Sequence, residues 1–211
     1  MGSQDLVKHK HFIDTHKGLT PLVILGLMAF YDQWDNPTAW VYWGLHGSYG
    51  VLWVLKSAVF GDKNWERKST IGYGLMIWVA MSGYWVAPWL IGVNAVQAPS
   101  WLLGLCTLMY GFGVFFHFAS DMQKHISLSL GSGLITTGLW ARCRNPNYFG
   151  ELLIYTSFAV LSMHWIPPLI LALIVAGVWV PNMLRKDRSL ARYPEFGAYK
   201  RRSSFLIPYL F

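Results

Sequence analysis

The chain has 211 residues, of which 54% are hydrophobic and only 13% charged, with a mean hydropathy of +0.34. Soluble domains carry roughly 25% charge, so this composition excludes an ordinary soluble domain and points to an integral membrane protein. The formal net charge is +7, from 17 Lys and Arg against 10 Asp and Glu.

The apolar runs are long and do not alternate. That argues against a barrel and for an all-α, polytopic helix bundle, because only helices and closed barrels satisfy their backbone in lipid. One integral membrane domain over residues 1–211 is expected. Twelve Trp and eleven Tyr suit interfacial belts. Cys106 and Cys143 are too few for a disulfide framework. The N-terminus opens polar and basic, so no cleavable signal peptide is expected.

Residues 1–18 read as a polar segment. A first apolar span is expected from about Leu19 to Tyr31, and Asp32, Asp35, Asn36 and Pro37 mark a turn. A second span of about Thr38 to Phe60 is long enough to cross a bilayer and carries His46, Tyr49 and Lys56. After a charged loop at 61–69, a third span runs from about Thr70 to Ile91, with Pro88 placed to kink it. A fourth is expected from about Trp101 to Phe118. The stretch from Ala119 to Asn145, with Gly-Ser-Gly at 131–133, reads as a polar loop. A fifth span follows at about Tyr148 to His164, broken by Pro167-Pro168, and a sixth at about Leu169 to Met183. From Leu184 the tail is basic, and its Asp187 is expected at the surface.

Positive charge tests this six-span scheme. All 17 Lys and Arg lie in the N-terminus, the 61–69 loop, the 119–146 loop or the tail, counting Lys56 at the inner end of span two. The two opposite loops have none. The positive-inside rule then places both termini in the cytoplasm.

Chemistry concentrates between Trp140 and Glu151, W-A-R-C-R-N-P-N-Y-F-G-E. Arg142 and Arg144 are spaced to hold phosphates, and Lys200 to Arg202 add charge beside Tyr193 and Tyr199. Asn145, Asn147 and Tyr148 supply hydrogen bonds. Glu151 enters an apolar run, where a carboxylate is costly unless it has a function or a partner. The competing reading is a basic helix cap at the membrane surface, with the tail attracted to anionic lipid. No dinucleotide fingerprint, Walker loop, H-E-x-x-H, paired-Cys motif or G-x-S-x-G occurs. No metal and no nucleic-acid partner are expected.

His117 to Asp121 (H-F-A-S-D), Gly138 to Trp140 (G-L-W), Asn147 to Glu151 (N-Y-F-G-E), Tyr193-Pro194 and Ile207 to Phe211 (I-P-Y-L-F) follow one another in order. Together they resemble the C-terminal domain of the steroid 5α-reductase family, over residues 117–211. Related membrane sterol reductases share R-N/H-P-N-Y, whereas isoprenylcysteine and phospholipid methyltransferases share a looser R-x-P-x-Y and a similar tail. The resemblance implies an enzyme that binds NADPH among its C-terminal helices and reduces a carbon–carbon double bond of a steroid or other lipid. By position, Asp121, Asn147 and Glu151 match cofactor-site residues, and Tyr193 the tail tyrosine. Arg142, Arg144, Tyr148, Tyr199 and Arg201 complete the expected cofactor set. Leu45-His46 resembles a substrate-pocket L-H. The family tyrosine would fall on Gly47, which leaves Tyr49 as its replacement. The segment between Tyr193-Pro194 and Ile207-Pro208 is longer than in steroid reductases, and the E-F-G-A-Y-K-R-R it contains is closer to the sterol reductases and methyltransferases.

Hydride addition to a conjugated enone needs an acid at the carbonyl. His46 and Tyr49 are the expected catalytic residues; the alternative for both is a packed interhelical hydrogen bond. A second hypothesis is an S-adenosylmethionine-dependent membrane methyltransferase, with Glu151 and Asp187 near the sulfonium. A third is a non-enzymatic lipid-binding scaffold. The membrane is the endoplasmic reticulum in a eukaryote and the inner membrane in a bacterium. The lipid and the oligomeric state are not legible.

Overall fold

The computed structural model describes residues 6–62, 65–131 and 133–210. Lys63 of the charged loop, Ser132 of the Gly-Ser-Gly and the terminal Phe211 lie outside the described residues. Among the described residues the fold is mainly helical, with a short antiparallel ribbon in which β1 (Leu6–Lys8) pairs with β2 (Lys68–Thr70). Lys8 and Lys10 clamp Glu66 at 2.6 and 2.5 Å. Their donated hydrogen bonds hold the Glu66 carboxyl at about 2, well below its ordinary value.

The long helices follow the apolar runs, with shifted ends. Helix α1 is His9–Phe30. Helices α2 (Pro37–Tyr42) and α3 (Ser48–Phe60) are joined through a wide π turn at Trp43–Gly47. Helices α4 (Ile71–Met81) and α5 (Val86–Val93) join through a tight 3-10 turn at Ser82–Trp85. Helix α6 is Ser100–Ser129 and α7 is Pro146–Leu161. Helix α8 (Ile166–Ile174) continues through a π turn at Val175–Trp179 into α9 (Val180–Leu190), and α10 is Phe196–Arg202. Three of these stretches, Ile71–Val93, Ser100–Ser129 and Ile166–Leu190, are long and apolar enough to cross a membrane. Leu105, Leu108, Phe112 and Phe115 stand exposed along one side of α6, at the three- and four-residue spacing of a single helix face. Lipid, not water, suits such a stripe.

Three expectations are corrected. Of the segment read as polar, residues 9–18 already belong to α1, which buries Ile13, His16, Lys17, Thr20, Ile24 and Met28. The polar loop expected from Ala119 is helical to Ser129; a 30-residue helix is about 45 Å long, so polar turns can extend beyond a hydrocarbon core of about 30 Å. The break expected at Pro167 and Pro168 lies just before them, since α7 ends at Leu161 and α8 begins at Ile166. Both prolines sit in the first turn of α8, where a missing N–H costs nothing because those donors have no helical partner.

Prolines also explain the irregular turns. Pro88 cannot donate to the carbonyl four residues back, at Tyr84, and its ring crowds that carbonyl; the 3-10 turn lies there. Pro181 has the same relation to the π turn at Val175–Trp179. Pro21, inside α1, frees the Lys17 carbonyl, and Gly50 of α3 packs against it so closely that a Cβ would collide with its oxygen.

The chain divides into two compact units, the described parts of Met1–Thr107 with Phe158–Pro168, and of Leu108–Ser157 with Leu169–Phe211. The first has a core that includes Ile24, Met28, Tyr42, Tyr49, Ile91 and Leu161. The second has a core that includes Trp140, Ile154, Tyr155, Trp179, Met183 and Tyr199. In the second, α6 and α7 touch backbone to backbone. A Cβ on Gly150 would overlap His117 N and lie 2.6 Å from Gly113 O.

This contact predicts that Gly150→Ala destabilises the protein by about 1–3 kcal/mol through overpacking. Gly104→Ala, where a Cβ meets nothing within 4 Å, should be neutral or slightly stabilising. Thermal unfolding in detergent checks both; equal melting temperatures for the two variants would remove the close helix contact.

Candidate functional site

The second unit is built around the loop between α6 and α7. Gln123 fixes its entry, donating to Thr137 O at 2.9 Å and accepting from Leu139 N at 3.1 Å. Gly138 takes φ +58° against that amide, in the left-handed region that glycine enters without strain. Trp140 is buried and donates its indole N–H to Ser120 O at 3.2 Å. The loop then runs parallel to the C-terminal tail. Arg144 N donates to Ser204 O at 2.9 Å, Ser204 N to Arg142 O at 3.0 Å, and Asn145 Nδ2 to Phe205 O at 2.7 Å.

Arg144 locks this arrangement. Its side chain is 7% exposed and its Nε lies 3.1 Å from Asp187 Oδ2 on α9. Its Nη1 donates to Ser203 O and, at 3.3 Å, to Lys200 O. Lys186 donates to the Arg144 carbonyl and stands 4.9 Å over the Trp140 ring. Tyr199 donates to Trp140 O at 2.6 Å, and burial pushes its phenol up to about 12, so it stays a neutral donor. Burial also raises the Cys143 thiol, whose Sγ donates to Leu206 O at 3.0 Å.

The expected cofactor residues therefore separate. Arg144 and Tyr199 are brought into the tail clamp. Arg142 and Arg201 leave exposed side chains on the same unit. Tyr193 is half-buried, and its ring covers Gly133 and lies 4.9 Å from the Arg192 guanidinium. Tyr148 is half-buried with its ring centre 5.6 Å from that of Trp179.

Asp121, Asn147 and Glu151 are organised by the contact between α6 and α7. His117 Nδ1 lies 3.3 Å from Asn147 O. Asp121, 8% exposed, follows His117 by one turn on the same face of α6. Glu151, half-buried, follows Asn147 by one turn on α7. The Asn147 Oδ1 atom is buried without a hydrogen-bond partner among the described residues. A buried acceptor left unpaired costs about 1–3 kcal/mol, so this oxygen is suited to a donor from outside the chain.

Asp187 is not the surface carboxylate expected of the tail. It is 8% exposed and bound to Arg144. The readable sign was its spacing from Met183, four residues earlier and fully buried, which continues an inward helical face.

In the first unit, His46 sits in the π turn and is 2% exposed. Its Nδ1 lies 2.9 Å from Tyr42 Oη, and its ring stacks on Phe158 at 4.3 Å. Tyr42 and His46 stand one turn apart in one continuous helical stretch, so this bond is not the interhelical one named as the alternative. Tyr49 is fully buried, one turn from Trp53. Lys17 stands over both rings, 4.4 Å from Tyr49 and 5.0 Å from Trp53. Sequence reading missed Tyr42, His16 and Lys17.

Arg144→Met should cost about 3–5 kcal/mol, because it leaves Asp187 buried without its cation. Adding Asp187→Leu should recover part of that loss. Denaturant unfolding of the two single variants and the double variant checks it; additive losses would show that the pair is not coupled.

Residues 60–204 match the family described as "Protein of unknown function (DUF1295)". The chain is also 26% identical over 163 residues to the cobalt-zinc-cadmium resistance protein CzcN of Cupriavidus metallidurans. That alignment takes in 76% of this chain and 61% of the relative's length. The family match runs from the end of α3 to the tail strand beside the Arg144 loop, and the chain belongs to the DUF1295 family.

Proposed function

We propose that this protein is a membrane-embedded, NADPH-dependent reductase of a carbon–carbon double bond in a steroid or other lipid. The observation that carries the reading is the set of Asp121, Asn147 and Glu151, two carboxylates and a buried, unpartnered amide oxygen, in a chain whose helices suit lipid. These residues fit the cofactor. Asn147, with its buried Oδ1, and the carboxylates of Asp121 and Glu151 would hold the nicotinamide end from α6 and α7, and the exposed Arg142 and Arg201 would hold the phosphates. Bound NADPH supplies the hydride, and the protein supplies orientation and electrostatics. His46 and Tyr49 serve the lipid in the first unit.

The alternative, an S-adenosylmethionine-dependent methyltransferase, draws support from the tail sequence. It loses one of its two carboxylates to structure, since Asp187 is committed to Arg144. The relative's name concerns metal resistance. Among the described residues no group of three His, Cys, Asp or Glu could hold a metal, and metal handling is not carried over from that name.

The proposed topology has six spans with both termini cytoplasmic, from the one-sided Lys and Arg. The membrane is the endoplasmic reticulum or a bacterial inner membrane, according to source. Reporter fusions after residues 35 and 96 should read the opposite face, and either one reading cytoplasmic contradicts the scheme.

Titration of the purified protein should show NADPH binding more tightly than NADH, with affinity falling as salt rises. Glu151→Leu should fold, because it removes a costly carboxylate, yet lose at least about tenfold in NADPH affinity, the equivalent of about 1.4 kcal/mol. Glu195→Gln, at an exposed position, is the control. Normal NADPH binding by Glu151→Leu, or tight S-adenosylmethionine binding with none for NADPH, would contradict the proposal.

A further inference from the structure

The first unit holds two buried polar residues, His16 and Lys17, that the reductase reading does not use. His16 of α1 is 1% exposed. Its ring stacks on Trp85 at 4.4 Å with an interplanar angle of 11°, and meets the edge of Trp78 at 5.2 Å. Neither ring nitrogen has a hydrogen-bond partner among the described residues. A neutral imidazole always carries one donor and one acceptor, and buried side-chain polar atoms are nearly always paired. At least one nitrogen of this buried ring is therefore open to a ligand oxygen, which can pair with only one of the two.

The surroundings define that group. Lys17, the next residue, is 3% exposed and stands over Tyr49 and Trp53. One hydrogen-bonding ring and one ammonium among aromatic walls match a single oxygen on an otherwise apolar molecule. A phosphate would call for more donors, as in a bidentate arginine site.

We propose that His16, with Lys17 beside it, binds the carbonyl or hydroxyl oxygen of the apolar substrate. This rests on the reading of the protein as a lipid-acting enzyme and adds to it the group that recognises the lipid's polar end.

The test compares two probes of one skeleton, cholest-4-en-3-one and cholest-4-ene, which differ in the ketone oxygen. Binding to the full chain in detergent is followed by tryptophan fluorescence. The wild type should prefer the ketone by about tenfold, roughly one well-made hydrogen bond. His16→Phe should bring the two affinities within about threefold while leaving hydrocarbon affinity unchanged. Nitrogen NMR of histidine-labelled wild-type protein gives a second reading that needs no folded variant: one imidazole should shift with the ketone and not with the hydrocarbon, and its resonance should be the one that His16→Phe deletes. Equal affinities in the wild type, a ketone preference retained by His16→Phe, or imidazole resonances indifferent to the ketone would each overturn the proposal. NADPH titration of the same samples separates this outcome from the reductase reading, because loss of ketone preference with intact NADPH binding removes only the oxygen site.

Discussion

The buried ion pair between Arg144 and Asp187 is the constraint on which the second unit depends. Taking either charge out of water costs several kcal/mol, and only good geometry with further hydrogen bonds repays it. Here the repayment is structural. The guanidinium reaches Asp187 on α9 and the carbonyls of Lys200 and Ser203 at the start of the tail. One side chain thereby ties a loop, a helix and the tail together. The parallel pairing of Cys143 with Ser204 and the hydrogen bond from Tyr199 to Trp140 both lie within that tie. The loop it fixes ends at Pro146, where α7 begins, so the clamp also sets the direction in which Asn147 and Glu151 enter the helix. The arginine expected to hold a phosphate acts instead on the frame that positions the candidate cofactor residues.

The first unit is governed by backbone exceptions. Pro21 and Gly50 let α1 and α3 approach across a freed carbonyl, and Pro88 opens the 3-10 turn that carries Tyr84 and Trp85. The π turn at Trp43–Gly47 includes two glycines and places His46 beside Phe158. Buried lysines and histidines are expensive in an apolar bundle. His16, Lys17, His46 and Lys56 are nevertheless all buried in this unit.

Much of the fold was legible because lipid-facing helices are long apolar runs. Positions 38–60 and 70–91 were read within a few residues of the helices. The errors came where a helix carries polar residues on one face. His16 and Lys17 look like a soluble approach, yet with Ile13, Thr20, Ile24 and Met28 they repeat at helical spacing and turn inward. Asp187 was misjudged in the same way, since it sits among Arg185, Lys186 and Arg188 and its burial depends on a partner 43 residues away in sequence. Asp121, Asn147 and Glu151 could be singled out as residues, but the crossing at Gly113 and Gly150 that organises them is a property of two helices together. The DUF1295 match, over residues 60–204, takes in Asp187 and the crossing at Gly113 and Gly150 but not His16 or Lys17.

The most direct measurement of the proposed reduction follows label rather than binding. Protein in lipid vesicles is supplied with NADPH deuterated at the transferable C4 position, and the lipid extract is read by mass spectrometry. The account predicts a lipid that loses one double bond and gains one deuterium from the cofactor and one hydrogen from water. A lipid that instead acquires a labelled methyl group from S-adenosylmethionine, with no deuterium transfer from NADPH, would contradict it.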